Sequence, residues 1–520
     1  MSDRADTETD PAVRVMLTVC VMMATIMQAL DTTIANVALP YMQGALSTTQ
    51  DQVNWVLTSY IVAAAIMTSP IGWMSVRFGK KKLFIVCAAG FTVASMLCGA
   101  AQDINQMVLF RLLQGVFGAA LVPLSQTVML DIYPPAQRGS AMAIWGMGVM
   151  LGPIMGPTLG GWLTDNYSWR WVFFVNLPFG VLTVLGLSAF MTESKTNREI
   201  PFAWFGFLTL SLGIGALQMM LDRGEDQGWF DSAEIVIEGV LAVVGFYFFL
   251  ADSFTSKRPF IPLRIFSDWN FAIALIFMFI IGVILLATMA LVTPYLQNLM
   301  GYPVLASGFL LGSRGVGTFF AMSVVGRLLG KIDARRLIFL GLCLSTGSLW
   351  YMVYWSPESS ARSIAIVSVV QGLGLGFVFV PLNTVAFATL PSQLRTDATA
   401  MWTLIRNLGS SIGISIVIAR LTTMMTTFHS QLAEQINPFN DALRAPIVSN
   451  ILSTTTDTGR AMLDGLLNQQ AAIMAYSNDY LLMMFVSLAA FPLLFLLRSS
   501  KAAPSAKPPG DREAHAAVMD

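Results

Sequence analysis

Stretches of about twenty apolar residues, each long enough to cross the hydrocarbon of a bilayer, recur fourteen times along this chain. They begin near residues 15, 53, 83, 106, 140, 171, 202, 233, 270, 306, 337, 363, 397 and 479. The chain has 520 residues, of which 55% are apolar and 12% charged, against about 45–50% and about 25% in soluble domains. A water-soluble fold of this length cannot hide so much apolar surface, so lipid is the solvent for most of it. Backbone amides in lipid must be satisfied within their own segment. The expectation is an all-α integral membrane protein with 14 transmembrane helices.

Met1 to Pro11 is polar and acidic, and the first apolar run has spanning length without a small-residue cleavage site, so it reads as a membrane helix rather than a removable leader. Lysine and arginine set the orientation. With a cytoplasmic N-terminus, the inner loops take "VRFGKKK" (76–82) and "GKIDARR" (330–336), while the outer loops hold only Arg170, Arg223, Arg362, Arg420, Arg444 and Arg460. Arg111, Arg314 and Arg406 fall within spans. Both termini are expected to be cytoplasmic.

The chain also repeats itself. "QGVFGAALVPLSQTV" (114–128) returns as "QGLGLGFVFVPLNTV" (371–385), "GWMSVRFGKKKLF" (72–84) as "GRLLGKIDARRLI" (326–338), and "PPAQRGSAMAIWG" as "PSQLRTDATAMWT" 257 residues later. The echoes keep their order and put a basic loop on the same membrane side each time, which makes two parallel six-helix bundles. The expected divisions are a cytoplasmic tail (1–13), a first bundle (14–198), two inserted helices with linkers (199–268), a second bundle (269–498) and a cytoplasmic tail (499–520). A long polar outer segment (420–478) lies within the second bundle and is expected to be extramembrane with some helix.

Three patterns carry chemistry. In "QALDTTIANVALP" (28–40), Asp31 lies about sixteen residues into an otherwise uncharged run. It reads as the only carboxylate deep in a span, with Glu238, Asp222 and Asp131 nearer span ends and no histidine in any span. Ala24, Gln28, Asp31, Ala35 and Ala38 form a small, polar stripe suited to a cavity or a helix contact. Arg111, Gln114, Gly115 and Gly118 share one face of span 4, and a buried arginine is costly unless paired or hydrated. Burial disfavours an ionised carboxylate and a nearby arginine favours it. Asp31 and Arg111 are therefore either a proton-coupling pair or a permanent tie between spans 1 and 4, and the two roles are compatible if the pair breaks during a cycle. One proton falling through about 150 mV provides about 3.5 kcal/mol, enough for a gradient of about three hundredfold.

In span 5, Gly148, Gly152, Gly156 and Gly160 recur at every fourth residue, with Gly161, Pro153 and Pro157 among them. That spacing leaves a bare face for close approach, and each proline removes a backbone donor. The expectation is a sealed face at the bundle interface that limits proton leak. The third pattern is the loop "GWMSVRFGKKK", with Gly72, Arg77, Gly79 and Lys80.

Together these features resemble the major facilitator superfamily, and the fourteen spans with "LDTTIANVALP" and "GPIMGPTLGG" narrow the resemblance to the 14-helix drug:proton antiporters of the EmrB/QacA type. "WRWVFFVNLPFG", "LDRG", "YLQNLMGY" and "NPFN" resemble the EmrB branch. The likeness covers nearly the whole chain. It implies a proton-driven exporter of hydrophobic or amphipathic compounds in the bacterial inner membrane, working with a periplasmic adaptor (membrane fusion protein) and an outer-membrane channel. The span 5 pattern is associated with export. The loop departs from the superfamily's pattern at Val76, where an aspartate is usual, which puts an acid-based latch between the bundles in question.

The expected polar lining of a cavity between the bundles is Gln28, Asp31, Arg111, Gln114, Arg314 and Arg406, and three arginines against one acid suggest tolerance of anionic compounds. The polar outer segment is the expected docking surface for the adaptor. No "GxxxxGK[ST]" occurs, so a nucleotide-driven pump is not expected, nor an enzyme, a cofactor or a nucleic-acid partner. Cys20, Cys87, Cys98 and Cys343 lack metal-ligand spacing, and no metal is expected. The rival readings are a proton-coupled uptake transporter and a non-transporting sensor on the same fold.

Overall fold

The computed structural model describes residues 10–134, 137–194, 196–257, 259–329, 331–436, 452 and 456–498. Its elements are α1 (Pro11–Ala45), α2 (Gln50–Thr68), α3 (Ile71–Phe78), α4 (Lys80–Ala100), α5 (Ile104–Gly118), α6 (Leu121–Ile132), α7 (Arg138–Asn166), α8 (Trp171–Phe174) and α9 (Asn176–Phe190). After these come α10 (Trp204–Arg223), α11 (Ala233–Thr255), α12 (Trp269–Pro294), α13 (Val304–Leu328), α14 (Ala334–Met352), α15 (Ala361–Ala388), α16 (Arg395–Ala433), α17 (Asp457–Leu488) and α18 (Phe491–Leu496).

Twelve helical stretches among the described residues are long and apolar enough to cross a membrane, thirteen if α2 and α3, bent by 59° at their junction, count as one. Every expected span is helical. The one outside that set is α14, whose 19 residues begin with Arg335 and Arg336 and carry Ser345, Thr346 and Ser348, which dilutes its hydropathy. The chain is therefore an all-helical protein with twelve to thirteen clear spans among the described residues.

Helices pack closely where side chains are missing. In α7, Gly148 lies against Met22, Gly152 against Ala29, Gly156 against Thr33 and Gly160 against Ile34, all on α1. Thr33 Oγ1 donates to the Gly152 carbonyl at 3.0 Å. The glycine face thus joins α7 to α1 inside the first bundle and does not face the second bundle, as the sequence had suggested. The other face of α7 meets α13, where Gly308 sits on Thr158 and Gly315 on Ile154. Pro153 and Pro157 fall within α7, and Gly161 follows Gly160 in the same helix.

The internal repeat has a counterpart in packing. Gly115 of α5 presses on the Tyr60 carbonyl of α2, and Gly372 of α15 presses on the Arg314 carbonyl of α13. The inserted pair crosses at Gly213 and Gly245. Within this pair α10 reaches both bundles: Gly215 lies on Ile66 of α2, and Ser415 Oγ of α16 donates to the Leu221 carbonyl at 2.7 Å.

The expected outer segment is helical far into its length. α16 continues to Ala433 and α17 starts at Asp457, with His429 Nε2 of the first 3.0 Å from Asp464 Oδ1 of the second. "NPFN" (437–440), Arg444 and the rest of 437–451 and 453–455 within the expected docking segment lie outside the described residues, as does the tail 499–520.

Candidate functional site

Helical spacing and burial assemble the first polar cluster around Asp31. Its carboxylate is fully buried and accepts three hydrogen bonds: Arg111 Nη1 to Oδ2 at 2.8 Å, Gln114 Nε2 to Oδ1 at 2.8 Å, and Asn176 Nδ2 to Oδ1 at 3.1 Å. Arg111 is just as buried. It also donates from Nε to the Val56 carbonyl at 3.0 Å and from Nη1 to Gln114 Oε1 at 2.9 Å. Its guanidinium lies 4.6 Å from the Tyr60 ring centre and 5.5 Å from that of Phe173, so ring faces cover much of the cation. Asn176 also donates to Ser95 Oγ at 3.0 Å, and Ser95 in turn to the Phe173 carbonyl at 2.9 Å. One carboxylate thus links α1, α2, α4, α5, α8 and α9. A buried ion pair is favourable only when its remaining polar atoms are satisfied, and here the carboxylate is fully engaged.

The six expected lining residues do not converge. Asp31, Arg111 and Gln114 lie in the interior of the first bundle. Gln28 is half-buried beside them, its Nε2 3.2 Å from Tyr60 Oη. Ala24, Ala35 and Ala38 are fully buried, so that stripe is a helix contact and not a cavity wall. Arg314 and Arg406 belong to the second bundle. Arg314 reaches only the Leu285 carbonyl, at 3.4 Å from Nη1, and Arg406 reaches Asn407 Oδ1 at 3.4 Å from Nη2.

Asp31 is not the only fully buried carboxylate among the described residues. Asp479 of α17 is equally inaccessible to solvent, because α17 begins 22 residues before it and not at the polar-to-apolar switch visible in the sequence. Its charged neighbour is Arg420 of α16, with Nε 3.5 Å from Oδ1. Asn176 was also missed. An amide in an apolar run reads as tolerated polarity, and its one local signal is Pro178 two residues on, which marks the start of α9.

The bundles meet on the side of the basic loops. Gln126 Nε2 donates to Asn383 Oδ1 at 2.7 Å, Thr127 and Thr399 hydroxyls lie 2.7 Å apart, and Ser140 Oγ donates to the Gly326 carbonyl at 3.0 Å. Asp131 of α6 bridges Lys80 of α4, at 2.7 Å, and Arg395 of α16, at 2.9 Å. An acid from the other bundle lies near the loop that lacks one at Val76: Asp397 of α16 rests directly on Gly72 of α3.

The rest of the loop motif anchors the linker to the inserted helices. Arg77 donates to the Arg198 and Ile200 carbonyls, Trp73 Nε1 to Ile200 at 3.2 Å, and the Asn197 amide to Val76 at 2.9 Å. Gly79 has φ +89°, a left-handed turn where glycine is strain-free. A cavity of about 480 Å³ opens here, walled by Gly72, Trp73, Val76, Pro201, Phe260 and Asp397.

Comparison with known proteins follows the same outline. The family model described as Major Facilitator Superfamily matches residues 21–414. The chain is 36% identical over 434 residues to the Multidrug export protein EmrB of Escherichia coli (strain K12), covering 83% of this chain and 85% of that one. It is 32% identical over 485 residues to the Fatty acid resistance protein FarB of Neisseria gonorrhoeae, covering 92% and 94%. Among solved structures, the proton:xylose symporter XylE superposes with a TM-score of 0.58 over 94% of this chain and 97% of that one, at 12% identity, a likeness of fold alone.

Proposed function

The chain belongs to the Major Facilitator Superfamily, and from that premise we propose a proton-driven exporter of hydrophobic and amphipathic compounds that works by alternating access. Multidrug efflux is the activity of its EmrB-type relatives, and this chain is a multidrug efflux transporter of that type in the bacterial inner membrane. The finer reading takes α14 as the remaining span, giving fourteen, with two six-helix bundles, the α10–α11 pair inserted between them, and both termini cytoplasmic. The basic side sealed by Asp131 is then the cytoplasmic side.

Proton coupling is assigned to Asp31 with Arg111. The carrying observation is the fully buried pair at 2.8 Å. A proton added to Asp31 would leave Arg111 to Gln114 and the Val56 carbonyl, and would loosen α1 against α5 and α9. Gln28, Gln114, Arg314 and Arg406 contribute polarity to the two bundle interiors. The substrates are lipophilic, with anionic compounds among them, since Arg314 and Arg406 form no ion pair among the described residues. A periplasmic adaptor and an outer-membrane channel are the proposed partners, and the α16–α17 hairpin is the proposed docking surface.

Inverted vesicles test the reading. A pH gradient should drive accumulation by the wild type, and Asp31→Asn should uncouple accumulation from the gradient while the protein remains folded. Gradient-driven accumulation preserved in that variant would falsify the assignment of Asp31. Accumulation of opposite vector would mean uptake, and no flux would mean a sensor.

A further inference from the structure

Both oxygens of the Asp31 carboxylate have hydrogen-bond partners. The opposite holds in the second bundle, in the half away from the basic loops. Asp479 has no solvent exposure, neither of its oxygens accepts a hydrogen bond, and its ion pair with Arg420 is long, at 3.5 Å. The next residue, Tyr480, belongs to an aromatic cluster whose buried donors are likewise unmatched: the Tyr295 and Tyr480 hydroxyls and the Trp355 indole N–H. These rings form one aromatic body, with centroids 5.9 Å apart for Tyr295 and Trp355, 5.8 Å for Trp355 and Tyr480, and 5.3 Å for Tyr295 and Tyr476. Unpaired buried polar groups are costly, and here donors and acceptor are unpaired in one place. Tyr295 sits in a π-helical turn, Tyr295–Leu299, directly after Pro294, the kind of local irregularity that accompanies functional sites.

Among the described residues, no other charged side chain forms an ion pair with Asp479. α12 has no charged residue, and α14 carries only Arg335 and Arg336, at its far end. Arg420 is the exception. Its side chain is 32% exposed, so it stands between the buried carboxylate and outer water. Arg420 lies 25 residues along α16 from Arg395, which pairs with Asp131 across the bundles. At 1.5 Å per residue, one unbroken helix joins the two ion pairs over about 37 Å.

We propose that Asp479 is a second proton-binding carboxylate of the transport cycle, loaded from the outer side past Arg420 and coupled through α16 to the latch between the bundles. The proposal rests on the proton-driven reading above. The step is a protonation: a proton from outer water adds to one carboxylate oxygen, the acid loses its charge, and Arg420 keeps its own in contact with water. The neutral acid no longer attracts Arg420, so the outer half of α16 is released from α17. Its inner end, with Arg395 and Asp397, is then free to leave Asp131 and Gly72. On the return, loss of the proton re-forms the pair.

The test uses the full-length purified chain in lipid vesicles, with tetraphenylphosphonium as the transported probe and the infrared band of protonated carboxyl groups as the second readout. Asp479→Asn should remove one titrating carboxyl band and reduce gradient-driven accumulation at least about tenfold. Arg420→Gln should keep that band but move the midpoint of its pH titration by about one unit or more, and the pH dependence of gradient-driven accumulation should move with it, which a purely structural pair would not do. An unchanged band and unchanged gradient-driven accumulation in Asp479→Asn overturn the proposal while the proton-driven reading stands. A wild type indifferent to the pH gradient overturns both. If Asp479→Asn does not reach the membrane, Arg420→Gln decides alone, and an unmoved midpoint overturns the proposal.

Discussion

Asp31 and Arg111 are each as buried as any apolar side chain in the first bundle, so their cost falls unevenly on single and double replacement. Removing one partner leaves an uncompensated charge at about 3–5 kcal/mol, whereas replacing both with apolar groups of similar volume is often nearly neutral. Asp31→Leu and Arg111→Leu should each lower thermal stability in detergent sharply, and the double variant should recover most of the loss. Asn176→Ala should cost less, about 1–3 kcal/mol, because it strips one hydrogen bond from Asp31 Oδ1. A melting-temperature series checks all four proteins.

Sequence made the charged members of this cluster visible because a charge in an apolar run is conspicuous. Asn176 was not visible, since an uncharged amide in such a run carries no comparable signal. Asp479 was hidden for another reason. Hydropathy places it at the edge of a polar segment, while its burial depends on α17 having started 22 residues earlier and on the rings packed around it.

Among the helices, glycine positions separate into those that hold a neighbour and those that do not. A Cβ at Gly152 would collide with the Ala29 backbone of α1, while one at Gly347 of α14 would meet nothing within 4 Å. Gly152→Ala should therefore push α1 off α7 and lower both folded yield and transport. Gly347→Ala should be neutral or stabilising by about 0.4–1 kcal/mol through the unfolded state. Folded yield by size-exclusion chromatography distinguishes the two. The four-residue glycine spacing announced a close approach, but not which helix makes it, because periodicity defines a face and only the tertiary arrangement defines what covers it. The same limit applies to α16 and α17, whose lengths exceed a single membrane crossing by more than ten residues each and whose outer turns read in sequence as a loop.

At the scale of the whole molecule, the contacts on the basic side set the state. The Thr127 and Thr399 hydroxyls, one from each bundle, are 2.7 Å apart and buried. A Thr127→Cys and Thr399→Cys pair should crosslink on oxidation and stop transport, and a reductant should restore it. Asp131→Asn, which removes the bridge between Lys80 and Arg395, should instead favour opening on that side, read as faster labelling of a cysteine placed at Thr399.

The inserted pair makes the two flanks of the molecule unequal. Where α7 meets α13, at Gly315 and Ile154, neither α10 nor α11 packs among the described residues. Where α2 approaches α16, α10 lies across both: Arg223 is 5.3 Å from the Trp55 ring of α2, and Leu221 accepts from Ser415 of α16. A compound dissolved in the bilayer therefore meets a shielded flank on one side and a bare one on the other. Entry from the lipid has a handedness, and a photoactivated lipophilic probe should mark α7 and α13 in preference to α2 and α16.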